Sequence, residues 1–280
     1  MTATQITEQG IYYRHWPVTE PRHGEPKAVI MLVHGLGEHC ERYSALAEAL
    51  NDAGYALCSL DLPGHGHSSG LRGHISDFAE YETAVLGLYE KIKKCCPEQS
   101  VFILGHSMGG LITTHLLLNH QHLFKGALLS GAAIQSPQEP PAWQMTLMKF
   151  IAWLNPRFGA LTLDASAISR DPVVVEKYMN DPLVNKGKLS ARLLVSMFNT
   201  MSECAARAPQ IKLPIRIMHG GGDVMTAPAG SRLLHDRVSS QDKELKIYDG
   251  LFHEIFNEPE SDQVYREVID WLDRQLIQTE

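Results

Sequence analysis

A ten-residue stretch constrains the fold of this chain more than any other part of its sequence. Residues 101–110 read VFILGHSMGG, in which four apolar residues typical of a short buried strand precede Gly105-His-Ser107-Met-Gly109. Residues 111–118 then have the pattern of a helix. A strand that turns this abruptly into a helix leaves no room for side chains around the turning residue, which explains the two flanking glycines. The stretch therefore predicts a nucleophile elbow that exposes Ser107 at the carboxyl end of a strand.

Apolar runs of strand length recur along the chain and alternate with helical patterns. The runs cover residues 28–33, 55–60, 101–104, 126–130, 215–219 and 245–248. Helical patterns cover residues 43–53, 76–92, 231–238 and 262–275, and Ser76 is the expected cap of the second. Residues 11–16 alternate enough to form an early antiparallel strand. This order predicts an α/β fold with a mostly parallel central sheet and helices on both faces.

The alternation of strands and helices is interrupted once. Residues 133–209 are rich in proline, methionine and aromatic residues, and they show helical patches but no clear strand. We predict that they form a helical cap inserted over the carboxyl ends of the strands. Residues 1–132 and 210–280 then form the core domain.

Two residues downstream of the elbow could activate its serine. A serine hydroxyl is a poor nucleophile near neutral pH, so it needs a base, and the base needs an orienting group. Asp223 follows the apolar run at 215–219, and His253 follows the run at 245–248. Taken alone, each is more often a turn, surface or core residue. In the order Ser107, Asp223, His253, each just past a strand, they match the α/β-hydrolase triad, and we predict that they are catalytic.

The same chemistry requires two backbone N–H groups that face the developing oxyanion. One is expected from Met108, the residue after the nucleophile. The other is expected from the loop after the first buried strand, His34-Gly-Leu36-Gly, where we predict Leu36 as the donor. His34 is expected to support this loop by packing and hydrogen bonding.

Four motifs together resemble the monoacylglycerol lipase and lysophospholipase group of serine hydrolases. They are HGLGEH at 34–39, DLPGHGHS at 61–68, GHSMG at 105–109 and NDPLV at 180–184. The similarity runs from residue 14 to the last helix and includes the cap. It implies an α/β-hydrolase fold with a helical cap after the sixth strand. It also implies hydrolysis of a monoacylglycerol to fatty acid and glycerol through an acyl-enzyme.

The resemblance also implies residues at the alcohol end of the substrate. These are Glu38, Arg42 and Tyr178 in this sequence. Glu38 and Arg42 could instead form an i,i+4 ion pair at a helix start. Some members of the group carry a second histidine where this chain has Phe256, which predicts a more apolar head-group site.

One segment of the cap, residues 143–154, is apolar nearly all round. The sequence WQMTLMKFIAWL predicts a helix that is buried in the cap or that faces a fatty chain or lipid. We expect its inner face to line an acyl tunnel, because each buried methylene contributes about 0.8 kcal/mol. Contact of the cap with a membrane surface is a further expectation.

Composition limits the partners and the compartment. The net charge of −7 without a basic run argues against nucleic acid. No apolar run is long enough to span a bilayer, and the first eight residues do not resemble a signal peptide. The five cysteines show no C-x-x-C pair, which favours reduced thiols. We expect a cytoplasmic protein, possible peripheral membrane contact, and a small lipid ester as substrate.

No cofactor or metal is expected. His65, His67 and His74 could suggest a metal site, but no set of three or four ligands accompanies them. Other functions stay open at this point. They are a lysophospholipase, a broad-specificity carboxylesterase, an acyltransferase, and a non-catalytic binding module of the same fold.

Overall fold

The chain folds around one eight-stranded sheet. The computed structural model describes residues 4–18, 25–162 and 164–277. The strands of this sheet are β1 (Thr4–Glu8), β2 (Ile11–Trp16), β3 (Val29–Val33), β4 (Ala56–Leu60), β5 (Val101–His106), β6 (Gly126–Ser130), β9 (Ile215–Gly220) and β10 (Lys243–Tyr248). Two short strands, β7 (Gly159–Leu161) and β8 (Leu189–Ser190), form a separate pair. The spatial order is β1-β2-β4-β3-β5-β6-β9-β10. Strands β4 to β10 in this order are parallel, whereas β1 and β2 run antiparallel at one edge.

Helices cover both faces of the sheet. They are α1 (Ser44–Asp52), α2 (Ala79–Cys95), α3 (Met108–His120), α4 (Ala142–Leu154), α5 (Pro172–Asn180), α6 (Ala191–Arg207), α7 (Pro228–Arg237) and α8 (Ser261–Ile277). Side chains of α2, α3 and α7 pack in one core cluster, and those of α1 and α8 pack in another. The predicted fold class is therefore confirmed.

The central strands are buried on both faces, as their continuous apolar runs predict. In β3, Met31 belongs to the cluster on one face of the sheet, whereas Ile30 and Leu32 belong to the cluster on the other. This alternation follows from the two-residue period of a strand. Because the central strands are parallel, their carboxyl ends, and the loops that follow them, lie at one edge of the sheet.

The start of α2 differs from the sequence prediction. The helix begins at Ala79, and Ser76 does not cap it. Asp77 Oδ1 instead accepts a hydrogen bond from the Ala79 amide at 2.9 Å, and Glu80 Oε1 accepts the amides of Ser76 and Asp77. Asp77 and Glu80 thus take the role expected for Ser76, and their negative charge also suits the positive end of the helix dipole.

The segment between β6 and β9 contains α4, α5 and α6. It also contains β7 and β8, which pair antiparallel, so the expectation of no strand here was wrong. Helix α6 joins the segment to the rest of the protein, since Leu193 and Met197 pack in the same core cluster as α3. No helix in the described ranges is long and apolar enough to cross a bilayer.

Candidate active site

Ser107 occupies the tight turn between β5 and α3. Its φ of 54° and ψ of −119° lie in a region that residues other than glycine rarely adopt. A Cβ atom at Gly109 would overlap the main-chain carbonyl of Val33, and one at Gly105 would overlap Thr113. The two glycines of the motif are therefore needed for close packing around the turn.

Hydrogen bonds hold this strained turn in place. The Ser107 amide donates to the carbonyl of Ser130 on β6 at 2.9 Å, and the Ser107 carbonyl accepts from Leu111 and Ala133. Strain at a single residue costs on the order of 1–3 kcal/mol and persists only where the surroundings impose it. Here the neighbouring strand and the following helix impose it.

Asp223 and His253 meet at the ends of the neighbouring strands β9 and β10. His253 Nδ1 donates to Asp223 Oδ2 at 2.7 Å, and both side chains are almost fully buried. Burial alone would raise the pKa of Asp223, but hydrogen bonds from His219 and His253 outweigh it and hold this pKa far below its ordinary value. Burial opposes the charged form of His253, yet the bond to Asp223 prevails and raises the pKa of the imidazole.

Ser107 and His253 line one cavity of about 140 Å³. The polar part of its lining also includes Glu38, Glu254 and Tyr178. Its apolar members are Leu36, Ala133, Leu161, Ile168, Leu189, Leu194, Met197, Phe198, Met201 and Met225, and the rest of the lining is Gly35, His106, Gln135, Ser136 and Thr226. A reactive polar end and an apolar remainder suit an ester with a fatty chain.

The two predicted oxyanion donors belong to segments that adjoin Ser107 or share its cavity. Met108 is the first residue of α3, so its amide has no partner within the helix and lies at the positive end of the helix dipole. Leu36 lines the cavity. His34 Nδ1 donates to the Gly35 carbonyl at 2.8 Å, which belongs to the same peptide unit as the Leu36 amide. The expected support from His34 is thus a direct hydrogen bond to the oxyanion loop.

Glu38 is a buried carboxylate at the hub of this loop. Its Oε1 accepts from the Gly35 amide at 2.6 Å and from the Tyr43 hydroxyl at 2.6 Å, and its Oε2 accepts from Arg42 at 2.7 Å. Burial alone would raise the pKa of Glu38, but Arg42 counteracts it and the pKa falls to about 2. The i,i+4 ion pair that the sequence suggested is present, and Glu38 also lines the cavity.

Arg42 lies behind the cavity wall. Its guanidinium binds both carboxylate oxygens of Glu254, at 2.6 and 2.7 Å, and it stacks over the ring of Tyr178 at 4.6 Å. It is not among the residues that line the cavity. Arg42 therefore connects three lining residues, Glu38, Tyr178 and Glu254.

Sequence reasoning missed several polar residues beside the candidate triad. Glu254 directly follows His253, but an acidic residue in a loop gives no local signal of a buried ion pair. His106 lies with its ring 4.8 Å from that of His253, and burial with the nearby His253 lowers its pKa to about 4. His219 and Thr226 both contact Asp223. A polar residue inside the apolar run of β9 was the available signal for His219.

One residue and one helix that the sequence placed near the substrate lie elsewhere. Phe256 is buried and packs against Tyr265, so it does not line the cavity. Helix α4 does not line this cavity either, and Ala152 is its only buried residue. The sequence left α4 either buried in the cap or facing a fatty chain or lipid, and the structure does not show the buried alternative. The expectation that its inner face lines an acyl tunnel is not met in the cavity that holds Ser107. The apolar side chains of α4 are exposed instead, with Trp153 at 73% and Phe150 at 56%.

The segment after α5 contacts the oxyanion loop. The Asn185 amide donates to the Gly37 carbonyl at 2.8 Å. His39 Nε2 donates to Asp181 Oδ2 at 2.9 Å. The NDPLV motif and the residue after it are thus bonded to the HGLGEH motif.

The three histidines considered as metal ligands have separate roles. His65 Nδ1 donates to the carbonyl of Pro63, and His74 Nδ1 contacts the hydroxyl of Ser190. The ring of His67 packs against that of Tyr12 in a tilted arrangement, with ring centres 4.8 Å apart. Within the described ranges, no group of three or more histidine, cysteine or acidic residues is arranged to hold a metal ion.

Comparisons with known proteins agree with this geometry. The model of the Hydrolase_4 family, described as serine aminopeptidase, S33, matches residues 24–260. The chain belongs to this family. A monoacylglycerol lipase of Mycolicibacterium smegmatis is 36% identical over 94% of this chain and 92% of its own length. Human monoglyceride lipase is 32% identical over 94% of this chain and 87% of its own length.

A solved structure of a relative has the same fold as this Hydrolase_4 member. The crystal structure of the monoacylglycerol lipase of Paleococcus ferrophilus has a TM-score of 0.83 at 32% identity, over 95% of this chain and 99% of that one. The α/β-hydrolase fold and the resemblance to monoacylglycerol lipases are thereby confirmed.

His65 should make the folded protein sensitive to acid. Burial, with His34 nearby, lowers its pKa from 6.5 to about 3. Between these values the unfolded chain binds a proton that the folded chain does not. The contribution of uncharged His65 to the free energy of unfolding is therefore complete above pH 6.5. It is lost as the pH falls towards 3, by about 1.4 kcal/mol per pH unit. His65→Asn keeps a donor for Pro63 but cannot titrate, so its unfolding free energy should fall less steeply with pH.

Urea unfolding at several pH values between 6 and 4 measures this slope. His122→Asn, which replaces an exposed imidazole, is the matched control. Equal slopes for His65→Asn and the wild type would contradict the assignment.

Proposed function

We propose that this protein is a serine hydrolase that cleaves monoacylglycerols to free fatty acid and glycerol. The observation that carries the proposal is one cavity that joins Ser107 and the Asp223-supported His253 to a mostly apolar wall. The relatives named monoacylglycerol or monoglyceride lipase support it, because they match this chain over nearly its whole length.

In the proposed mechanism, His253 removes the proton of Ser107 as the hydroxyl oxygen attacks the ester carbonyl. The amides of Leu36 and Met108 stabilise the oxyanion. His253 then protonates the departing glycerol, and a water molecule repeats the sequence on the acyl-enzyme. Asp223 holds the imidazole in the required tautomer and stabilises the imidazolium that forms.

Glu38 and Tyr178 are proposed to bind the glycerol hydroxyls. Both line the cavity that also holds Ser107 and His253. Arg42 takes part through them, because it is bonded to Glu38 and stacked on Tyr178. A buried carboxylate that stays ionised is a strong hydrogen-bond acceptor for an alcohol.

The acyl chain is proposed to extend beyond the cavity that holds Ser107. That cavity, at about 140 Å³, is smaller than the 300–1,000 Å³ typical of ligand pockets. A second cavity of about 450 Å³ lies between α4 and α6, and Phe198 and Met201 line both. Both cavities together reach the typical size, so Phe198 and Met201 lie on the proposed path of a long chain.

Residues 133–209 are proposed to form a cap on a core of residues 1–132 and 210–280. The segment begins just after β6, the sixth strand, and supplies most of the apolar cavity wall. The exposed apolar face of α4, formed by Trp143, Leu147, Phe150, Trp153 and Leu154, suits transient contact with a membrane surface. We propose a cytoplasmic enzyme that meets its lipid substrate at such a surface.

Ser107→Ala should lower turnover of monoacylglycerol by at least about 10³-fold while it leaves the fold intact. Ser136→Ala is the matched control, because Ser136 lines the same cavity. A fluorophosphonate probe should label the wild type and the control but not Ser107→Ala.

A panel of monoacyl-, diacyl- and triacylglycerols, lysophospholipids and short p-nitrophenyl esters tests the substrate. Monoacylglycerol turnover no faster than that of the short esters would indicate a carboxylesterase instead.

Met201→Trp should reduce kcat/KM for long-chain monoacylglycerols about tenfold and leave short-chain esters nearly unaffected. The larger side chain would exclude about two methylenes, each contributing roughly 0.8 kcal/mol. Met197→Trp is the comparison, because Met197 lines only the cavity with Ser107, and it should slow both classes. Equal losses for long and short chains with Met201→Trp would exclude the proposed path.

Trp153→Glu should weaken binding to phosphatidylcholine vesicles at least about tenfold, because burial of a large aromatic side chain contributes more than 1.5 kcal/mol. Ile277→Glu, an exposed apolar position on α8, is the control. Co-sedimentation with the vesicles measures the binding. Equal binding of Trp153→Glu and the wild type would argue against membrane contact through α4.

A further inference from the structure

Asp223 receives more hydrogen bonds than the orientation of one imidazole requires. Its Oδ1 accepts from the amides of Met225 and Thr226, at 2.7 and 3.0 Å. Its Oδ2 lies within hydrogen-bond distance of His253 Nδ1 at 2.7 Å, Thr226 Oγ1 at 2.8 Å and His219 Nε2 at 3.0 Å. Two imidazoles therefore share one carboxylate oxygen, and the mechanism above uses only one of them.

The surroundings of His219 determine where its proton lies. Nε2 faces the Asp223 carboxylate and, at 3.4 Å, the carbonyl of Thr226, so this nitrogen carries hydrogen. Nδ1 lies 2.7 Å from the hydroxyl of Ser231 on α7. The side chain of His219 is fully buried, so it has no contact with solvent. Ser231, His219 and Asp223 thus form a continuous chain of hydrogen bonds that ends at the oxygen facing His253.

We propose that His219 is a positioning residue for the reaction, which fixes Asp223 Oδ2 towards His253 and withdraws part of its negative charge. A carboxylate that accepts several hydrogen bonds is a weaker base than one that accepts a single bond. Such a carboxylate orients His253 without binding its charged form too tightly. The inference rests on the proposed triad of Ser107, Asp223 and His253, and it adds a residue that acts through Asp223.

Other charged groups near His253 make this reduction of the negative charge on Asp223 useful. The carboxylates of Glu254 and Glu38 favour its charged form and, after Asp223, help to raise its pKa. Arg42 is paired with both of these carboxylates, and His106 lies on another side of the imidazole ring. Because a base must be uncharged to take the Ser107 proton, a further rise in the pKa of His253 would lower activity near neutral pH.

Two variants of His219 separate positioning from mere packing. His219→Gln places an amide N–H near the position of Nε2 and can still donate to Asp223. His219→Asn can reach Ser231 but not Asp223. The pH dependence of fluorophosphonate labelling and of p-nitrophenyl acetate hydrolysis measures the titration of His253 in each variant. Neither probe depends on recognition of a monoacylglycerol.

We expect His219→Asn to move the acid limb of both profiles upward by about half a pH unit or more, because Asp223 regains charge. It should also slow labelling at the pH plateau several-fold. His219→Gln should keep the acid limb of the wild type. Ser231→Ala should give a smaller upward movement, and it provides the test if His219→Asn does not fold.

An unchanged acid limb in His219→Asn and Ser231→Ala would overturn the inference, as would equal movement in His219→Asn and His219→Gln. A labelled wild type that does not hydrolyse monoacylglycerol would contradict the proposed substrate alone. A wild type that the probe does not label would overturn the proposed triad, and the role of His219 with it.

Discussion

The strained backbone of Ser107 is the constraint on which the rest of the site depends. Its amide is bonded to β6, its carbonyl is bonded to Ala133 and to the first turn of α3, and glycines lie on both sides. These contacts require β5, β6 and α3 to pack closely, which their small and apolar residues allow. The turn is followed directly by α3, whose first amides have no partner within the helix. Sheet packing and the proposed stabilisation of the oxyanion thus depend on the same few peptide units.

The charges around the cavity form a second system that depends on burial. Arg42 is bonded to Glu38 and to Glu254, which leaves one more acidic than basic group in the cluster. Tyr43 donates to Glu38 and Asn257 donates to Glu254, so each carboxylate has further hydrogen bonds. A buried pair remains charged only when such partners replace the lost water. The outcome is a polar wall with more carboxylates than cations close to the imidazole.

Local signals in the sequence were enough for the fold and for the positions of the candidate triad. Ser107, Asp223 and His253 each follow an apolar run, and parallel strands bring such positions to one edge. The exposure of α4 could not be predicted in the same way, because a helix that is apolar nearly all round has no pattern that distinguishes a buried face from an exposed one. The contact of His219 with Asp223 depends on how the loop after β9 folds back, which no spacing of residues reveals. The start of α2 depended on which of several polar residues reached the free amides.

The bonds between the NDPLV segment and the oxyanion loop have a consequence for how this architecture can vary. Asp181 and Asn185 lie in the inserted segment, whereas His39 and Gly37 belong to the loop that carries Leu36. The proposed cap would therefore do more than enclose a fatty chain, since it is also bonded to the loop that carries the proposed oxyanion donor Leu36. Exchange of residues 133–209 for the corresponding part of a distant relative would transfer a new chain-length preference only if these two hydrogen bonds were kept. On the proposed roles of the cap and of Leu36, selectivity for the acyl chain and the rate of the reaction depend on the same contacts.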